Sequence, residues 1–323
     1  MANKQTCILV LGMHRSGTSA LAGVLSILGV NMGKTLMKAS KDNPKGYFEN
    51  EAIVIFNDEV LFDYLNTTWD DLSLLPKNWE NDVGLTPFYL QAKKIIQEEY
   101  SAQSIFGIKD PRMSLLMPFW EKVFNQLEIE LKIILPYRNP LEVADSLRKR
   151  NQFGKEKSIA LWFKYSLYSE YHSRNYKRIL ISFNDLLLNT SLVINKIENE
   201  LNFQFPNSFV NVENQIKFFL DRSMNHAPAG LKVDKNIPQF LDQGVLLLQD
   251  IANDKVNLSK SQNIFDDLRE KYFIESTYFG DASYTIKKYV ALKKIMLDKN
   301  KQIKDRDAVI VDKNAMIEQR DAV

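Results

Sequence analysis

A single cysteine, Cys7, and three histidines, His14, His172 and His226, are all the thiol and imidazole ligands in this chain. No intrachain disulfide can form, and no cysteine-built zinc or iron–sulfur site. The histidines stand too far apart in sequence to suggest a metal centre. Charge of one sign is lacking too, because 42 Lys and Arg face 40 Asp and Glu for a net of +2. That balance makes no electrostatic case for nucleic acid or an anionic membrane as principal partner. Long apolar runs are missing: the one near the start covers only 7–11, far short of a membrane span or a signal core. Disorder is excluded for most of the chain by 45% apolar, 25% charged and 11% aromatic residues. The expectation is a soluble, cytoplasmic protein whose 323 residues form about two domains.

Residues 5–12, QTCILVLG, form a short β-rich apolar run ending in glycine, the pattern of a buried parallel strand. MHRSGTS follows, and then SALAGVLSILG, an apolar helix that stops at Gly29. Further strands are predicted at 105–109, 131–137 and 178–183. Helical patterns lie between and around them at 50–64, 87–100, 114–127, 140–151, 156–174 and 184–201. Alternation of this kind predicts an α/β fold, a parallel sheet with helices on both faces. The segment 202–275 has weaker periodicity and reads as helices and loops that complete the same domain.

Gly12 and Gly17 bracket four residues, the G-x4-G spacing of a phosphate-binding loop. Exposed backbone N–H groups and the positive end of the next helix cradle an anion in such a loop. The usual P-loop has Lys directly after the second glycine, where this chain has Thr18. The nearest cation is Arg15. Without that lysine clamp, nucleoside-triphosphate chemistry is disfavoured. What remains is a loop for one phosphate, with hydroxyls from Ser16, Thr18 and Ser19 and one guanidinium. A strand–helix turn that keeps its glycines for packing alone is the plainer alternative.

GMHRSGTS resembles the 5′-phosphosulfate loop of sulfotransferases that use 3′-phosphoadenosine 5′-phosphosulfate. It is similar to the Arg-containing form of tyrosylprotein and many bacterial sulfotransferases, whereas cytosolic members usually have Lys in place of Arg15. The family's 3′-phosphate motif is an Arg at a strand end, then Asp-Pro or Asn-Pro, then a Ser eight residues after the Arg. RNPLEVADS, from Arg138 to Ser146, matches it with the same interval. Asn139 suits a helix N-cap and Pro140 a first helical position, which puts Arg138 at the carboxyl end of a strand. The resemblance covers about residues 5–225 and implies a P-loop-like fold, the phosphosulfate donor, the bisphosphate product and no metal.

The resemblance also implies catalytic groups. KDPR at 109–112 matches the Lys-Asp-Pro segment that supplies a catalytic lysine in tyrosylprotein sulfotransferases, so Lys109 is assigned to the sulfuryl or leaving oxygen, with Arg15 beside it. An ion pair of Lys109 with a carboxylate at the strand end is the alternative. Arg112 extends the segment where the family is less fixed. Relatives carry G-Y-[FW]-E before the next helices, which makes Glu49 the candidate base, with Glu51 second and no base from this segment a third reading. His14 has a backbone role in the loop. Phe183 replaces the Tyr of a Y-E-D-L stretch and is a candidate adenine contact or a plain core aromatic. Trp162 reads as core, and Arg222 and Ser223 as a weak candidate for closure over the nucleotide.

The predicted function is transfer of a sulfuryl group to a hydroxyl acceptor, with a carbohydrate preferred. A P-loop kinase and a non-catalytic, coiled-coil-anchored nucleotide-binding module are the alternatives. The domain is expected over 1–285. Over 286–323 a seven-residue repeat is legible: Ala308-Val309-Ile310 recurs at Ala315-Met316-Ile317, while Arg306, Lys313 and Arg320 fill the partner position. The narrow stripe predicts a heptad helix or the start of a coiled coil, able to serve oligomerisation or enzyme assembly. A solvated single helix is the alternative. Because the chain ends inside a repeat, it is expected to be a fragment of a longer protein.

Overall fold

The computed structural model describes residues 4–41, 43–220, 238–276 and 280–321. Four parallel strands form its sheet: β1 (Thr6–Val10), β2 (Ile105–Lys109), β3 (Glu130–Tyr137) and β4 (Lys177–Ser182), in the spatial order β2-β1-β3-β4. Helix α1 (Thr18–Ile27) follows β1, and α2 (Glu51–Glu59) and α3 (Thr86–Tyr100) lead to β2. Helix α4 (Met113–Gln126) joins β2 to β3, and α5 (Pro140–Asn151) with α6 (Lys155–His172) joins β3 to β4. Beyond β4 come α7 (Phe183–Leu188), α8 (Thr190–Leu201), α9 (Phe209–Phe219), α10 (Gln239–Ala252), α11 (Gln262–Ser276) and α12 (Gly280–Asp321). This is the expected α/β fold, a parallel sheet between helical layers followed by a C-terminal helix.

Strand alternation sorts the core into two layers. Cys7, Leu9, Phe106, Ile108, Leu131 and Ile133 face a layer built largely from α2, α3, α4, α5, α6, α10 and α11. Ile8, Val10, Ile134, Ile179 and Ile181 face α1, α7, α8 and α9. Both faces are covered, which is why the strands read as continuous apolar runs rather than as alternating ones. From β1 the chain passes to β2 on one side, and β3 lies on the other side of β1. The loops after β1 and β3 therefore diverge, and a crevice opens at the carboxyl edge between them.

Two helices differ from their sequence expectation. The 50–64 helix is regular only to Glu59 and continues as a π-helical turn, Val60–Tyr64. The wider turn keeps Val60 and Leu61 both buried. The 184–201 helix is broken at Asn189, whose φ of −127° leaves the helical region, and so divides into α7 and α8. Helix α12 is continuous over 42 residues. Its first turns rest on the domain, with Val290 buried and Lys294 Nζ donating to the Asp63 carbonyl and Asn66 Oδ1. No helix among the described residues is long and apolar enough to cross a membrane.

Candidate functional site

Backbone conformation builds the loop after β1. Arg15 and Gly17 are both left-handed, at φ 69° and 88°, and the Ser16 N–H between them turns back to the Met13 carbonyl. At Gly17 any Cβ would lie 2.4 Å from the Phe183 ring, so glycine is required there for space as well as for φ. Helix α1 then begins without a side-chain cap. Its first hydrogen bond runs from the Leu21 N–H to the Gly17 carbonyl, which leaves the amides of Thr18, Ser19 and Ala20 ahead of the helical ladder. These residues line a cleft of roughly 1010 Å³ at the carboxyl edge of the sheet, large enough for a nucleotide-sized ligand.

The second motif meets the first inside this cleft. Asn139 caps α5 by accepting from the Leu141 N–H, and Pro140 takes the first helical position, as the sequence predicts. Ser146, two turns along α5, accepts a 2.6 Å hydrogen bond from Arg15 Nε. Arg138 Nη1 reaches the Arg15 carbonyl at 3.3 Å, and its Nε donates to Glu142 at 2.8 Å. The Arg138 guanidinium lies 4.7 Å from the centre of the Phe183 ring. Phe183 itself is only 4% exposed, with its ring against Gly17. It backs the loop and carries the arginine.

Lys109 ends β2 and is 3% exposed. Its Nζ donates to Glu49 Oε1 at 2.5 Å, Ser19 Oγ at 3.0 Å and the Tyr47 carbonyl at 3.2 Å. One ammonium thus ties together β2, the start of α1 and the segment before α2. Glu51 stands exposed in the first turn of α2, where it complements the helix dipole. Arg112 lines the cleft between the carboxylates of Asp58 and Asp110, at 2.6 and 2.9 Å. Burial works against its charge, but those two carboxylates hold its pKa above the ordinary arginine value. Behind it, Asp110 accepts from Asn57, which accepts from the Trp120 indole N–H.

His14 lines the same cleft, 4.5 Å from Trp69 between ring centroids. Burial, then the charges of Arg112, Arg150, Lys109 and Arg15, push its pKa well below that of a free imidazole, so the ring is neutral. Ser16 departs from the sequence picture: it is 1% exposed and faces a separate small cavity behind the loop rather than the cleft. Trp162 is buried in the core. Arg222, Ser223 and His226 lie outside the described residues.

Sequence reasoning passed over Trp69 and Arg150, which both line the cleft, with the guanidinium 5.6 Å from the indole centre. Trp69 sits in a loop that α6 holds in place. Lys157 pairs with Asp70 at 2.7 Å, Lys164 donates to the Asp71 and Ser73 carbonyls, and Tyr165 Oη donates to the Trp69 carbonyl. No local pattern in the sequence points to that loop. The only foreshadowing is a polar Thr-Asp-Ser cluster too common to single out.

Neither a family model nor any curated protein matches the chain. Among solved structures, the sulfotransferase domain of the Synechococcus PCC 7002 olefin synthase is similar, with a TM-score of 0.42 at 14% identity, covering 77% of this chain and 96% of that one.

Proposed function

We propose that the protein is a sulfotransferase that takes its sulfuryl group from 3′-phosphoadenosine 5′-phosphosulfate and passes it to a hydroxyl, of a carbohydrate by preference, in the cytoplasm. The observation that carries this reading is the Arg15–Ser146 hydrogen bond. It joins a loop suited to a 5′-anion and the helix α5 of the segment suited to a 3′-phosphate in one cleft, with Arg138 at the strand end alongside. A nucleoside triphosphate has no 3′-phosphate to occupy the second position, and the loop lacks the lysine that its β- and γ-phosphates need. The donor set fits the phosphosulfate nucleotide: two guanidiniums, a serine hydroxyl and the amides at the start of α1.

Bound there, the donor supplies a sulfuryl group attached to a good leaving phosphate. The acceptor oxygen forms a bond to sulfur, the bond from sulfur to the bridging phosphate oxygen breaks, and the bisphosphate leaves with that electron pair. Lys109 stabilises the charge that grows on the bridging oxygen, and Arg15 supports the sulfuryl and 5′-phosphate oxygens. Preorganised cations act most strongly in a site closed to water, and Lys109 is almost fully buried. Glu49 receives the hydroxyl proton, and its pairing with Lys109 fixes the carboxylate beside the reacting centre. A positioned base of this kind contributes about 10²–10⁴-fold. The neutral His14 adds no charge to the wall.

Calorimetry tests the donor assignment. 3′,5′-Adenosine bisphosphate should bind without magnesium and far more tightly than AMP, and Arg138→Ala should cost about 2–4 kcal/mol of that affinity, the scale of a charge-assisted contact left unpaired. Equal affinity for the two nucleotides would overturn the reading. Glu49→Gln should keep bisphosphate binding and lower turnover with labelled donor by about 10²–10⁴. Wild-type turnover in that variant moves the base elsewhere.

A further inference from the structure

Behind the loop, between the carboxyl ends of β1 and β3 and the inner face of α6, lies a second cavity, with about 20 Å³ of space for a water. One water needs about 10–15 Å³ on that measure, so the cavity holds one and no larger molecule. Ser16 from the loop, Tyr137 from β3 and Ser169 from α6 all line it. They are 1%, 8% and 3% exposed. The buried hydroxyls of all three have no hydrogen-bond partner among the described residues. Three such groups on one small cavity form a set, because a buried polar atom left unmade costs about 1–3 kcal/mol. The remaining polar lining is already engaged: Ser166 Oγ donates to the Trp162 carbonyl, and Glu170 is paired with Arg174 and Arg178. With that carboxylate neutralised, the cavity presents hydroxyls and no net negative charge, so it suits water and not a cation.

We propose that one ordered water occupies this cavity and bridges Ser16 Oγ, Tyr137 Oη and Ser169 Oγ, making a strut that ties the underside of the loop to α6. Three partners are the usual complement of a buried water. Ser16 is then a positioning residue. Its hydroxyl does not reach the anion in the cleft, and it holds the left-handed turn of Arg15 and Gly17 from behind. The consequence for anion binding rests on the function proposed above; the water and its three partners do not.

Three experiments decide the matter. A crystal structure that resolves ordered water should show one peak within hydrogen-bond distance of all three hydroxyls. An empty cavity, hydroxyls turned to other partners, or a peak at the short distances of a metal ion would overturn the proposal. The second experiment is a double-mutant cycle on Ser16→Ala and Ser169→Ala, read by urea denaturation, which needs no ligand. Each variant should lower the folding constant about 2- to 10-fold, the scale of one hydrogen bond, with the double variant clearly less affected than the product of the two. Independent effects would refute the strut. In calorimetry, each single variant should weaken 3′,5′-adenosine bisphosphate binding by a similar small factor. A loss confined to Ser16→Ala would instead make its hydroxyl a direct ligand. If the wild-type protein does not bind the bisphosphate, the functional reading falls while the density and the denaturation cycle still judge the strut.

Discussion

Lys109 and Glu49 form an ion pair whose removal should be felt in stability as well as in turnover. The pair is 2.5 Å long and its residues are 3% and 5% exposed, so neither charge is compensated by water. Removing one partner from a buried pair costs about 3–5 kcal/mol, because the other charge stays buried and alone. The two partners differ, however. Lys109 also donates to Ser19 Oγ and the Tyr47 carbonyl, so in Glu49→Gln the ammonium keeps two acceptors and a hydrogen-bonding amide. About 1–2 kcal/mol is expected there, the worth of a hydrogen bond weakened rather than lost. Lys109→Met strands the Glu49 carboxylate and should cost the full 3–5 kcal/mol, roughly 4–8 °C in melting temperature. Lys109→Met combined with Glu49→Gln removes both charges and should recover at least half of that loss. Urea denaturation with unchanged slope is the assay, since a constant slope keeps the comparison to stability alone. A Lys109→Met protein within about 0.5 kcal/mol of wild type, or strict additivity in the double variant, would refute the reasoning.

Gly17→Ala forces a Cβ into the Phe183 ring at a left-handed backbone. It should destabilise the fold by about 2 kcal/mol or more and abolish anion binding, and Phe183→Leu in the same protein should restore part of the stability. Burial, then Arg269 and Arg174, lowers the His172 pKa to about 4. The unfolded chain therefore binds the extra proton first, so the stability contribution is complete above about pH 6.5 and is lost as pH falls toward 4, by up to about 3 kcal/mol. His172→Asn should flatten the fall in denaturation midpoint between pH 6.5 and 4.5 without removing it, because His14 is lowered in the same direction; an unchanged slope would contradict the assignment. In α12, Ile303 and Ile310 remain about half exposed while Arg306 and Lys313 fill the partner position of the heptad. Sedimentation should show weak self-association that disappears on deleting 286–323, and a tight oligomer that survives the deletion would assign assembly to the domain.

The sequence by itself determined the features that depend on near neighbours. A five-residue apolar strand, a glycine loop and an apolar helix are local patterns, and β1, the loop and α1 appear where they were read. The interval from Arg138 to Ser146 is a statement about helix pitch, so once Asn139 and Pro140 start α5 the serine must face the arginine's end of the cleft. Contacts between distant residues were decided only by the tertiary structure. Arg15 meets Ser146 across 131 residues, and Lys109 meets Glu49 across 60. Both follow from the strand order β2-β1-β3, which the packing of two helical layers sets and no local window contains. The same packing turned the Ser16 hydroxyl away from the cleft, put the Phe183 ring behind Gly17 and brought Trp69 beside His14. Residue type and spacing say which groups are available in a loop. The direction each one faces is set by the φ values at Arg15 and Gly17 and by which side chains the opposing elements press against them.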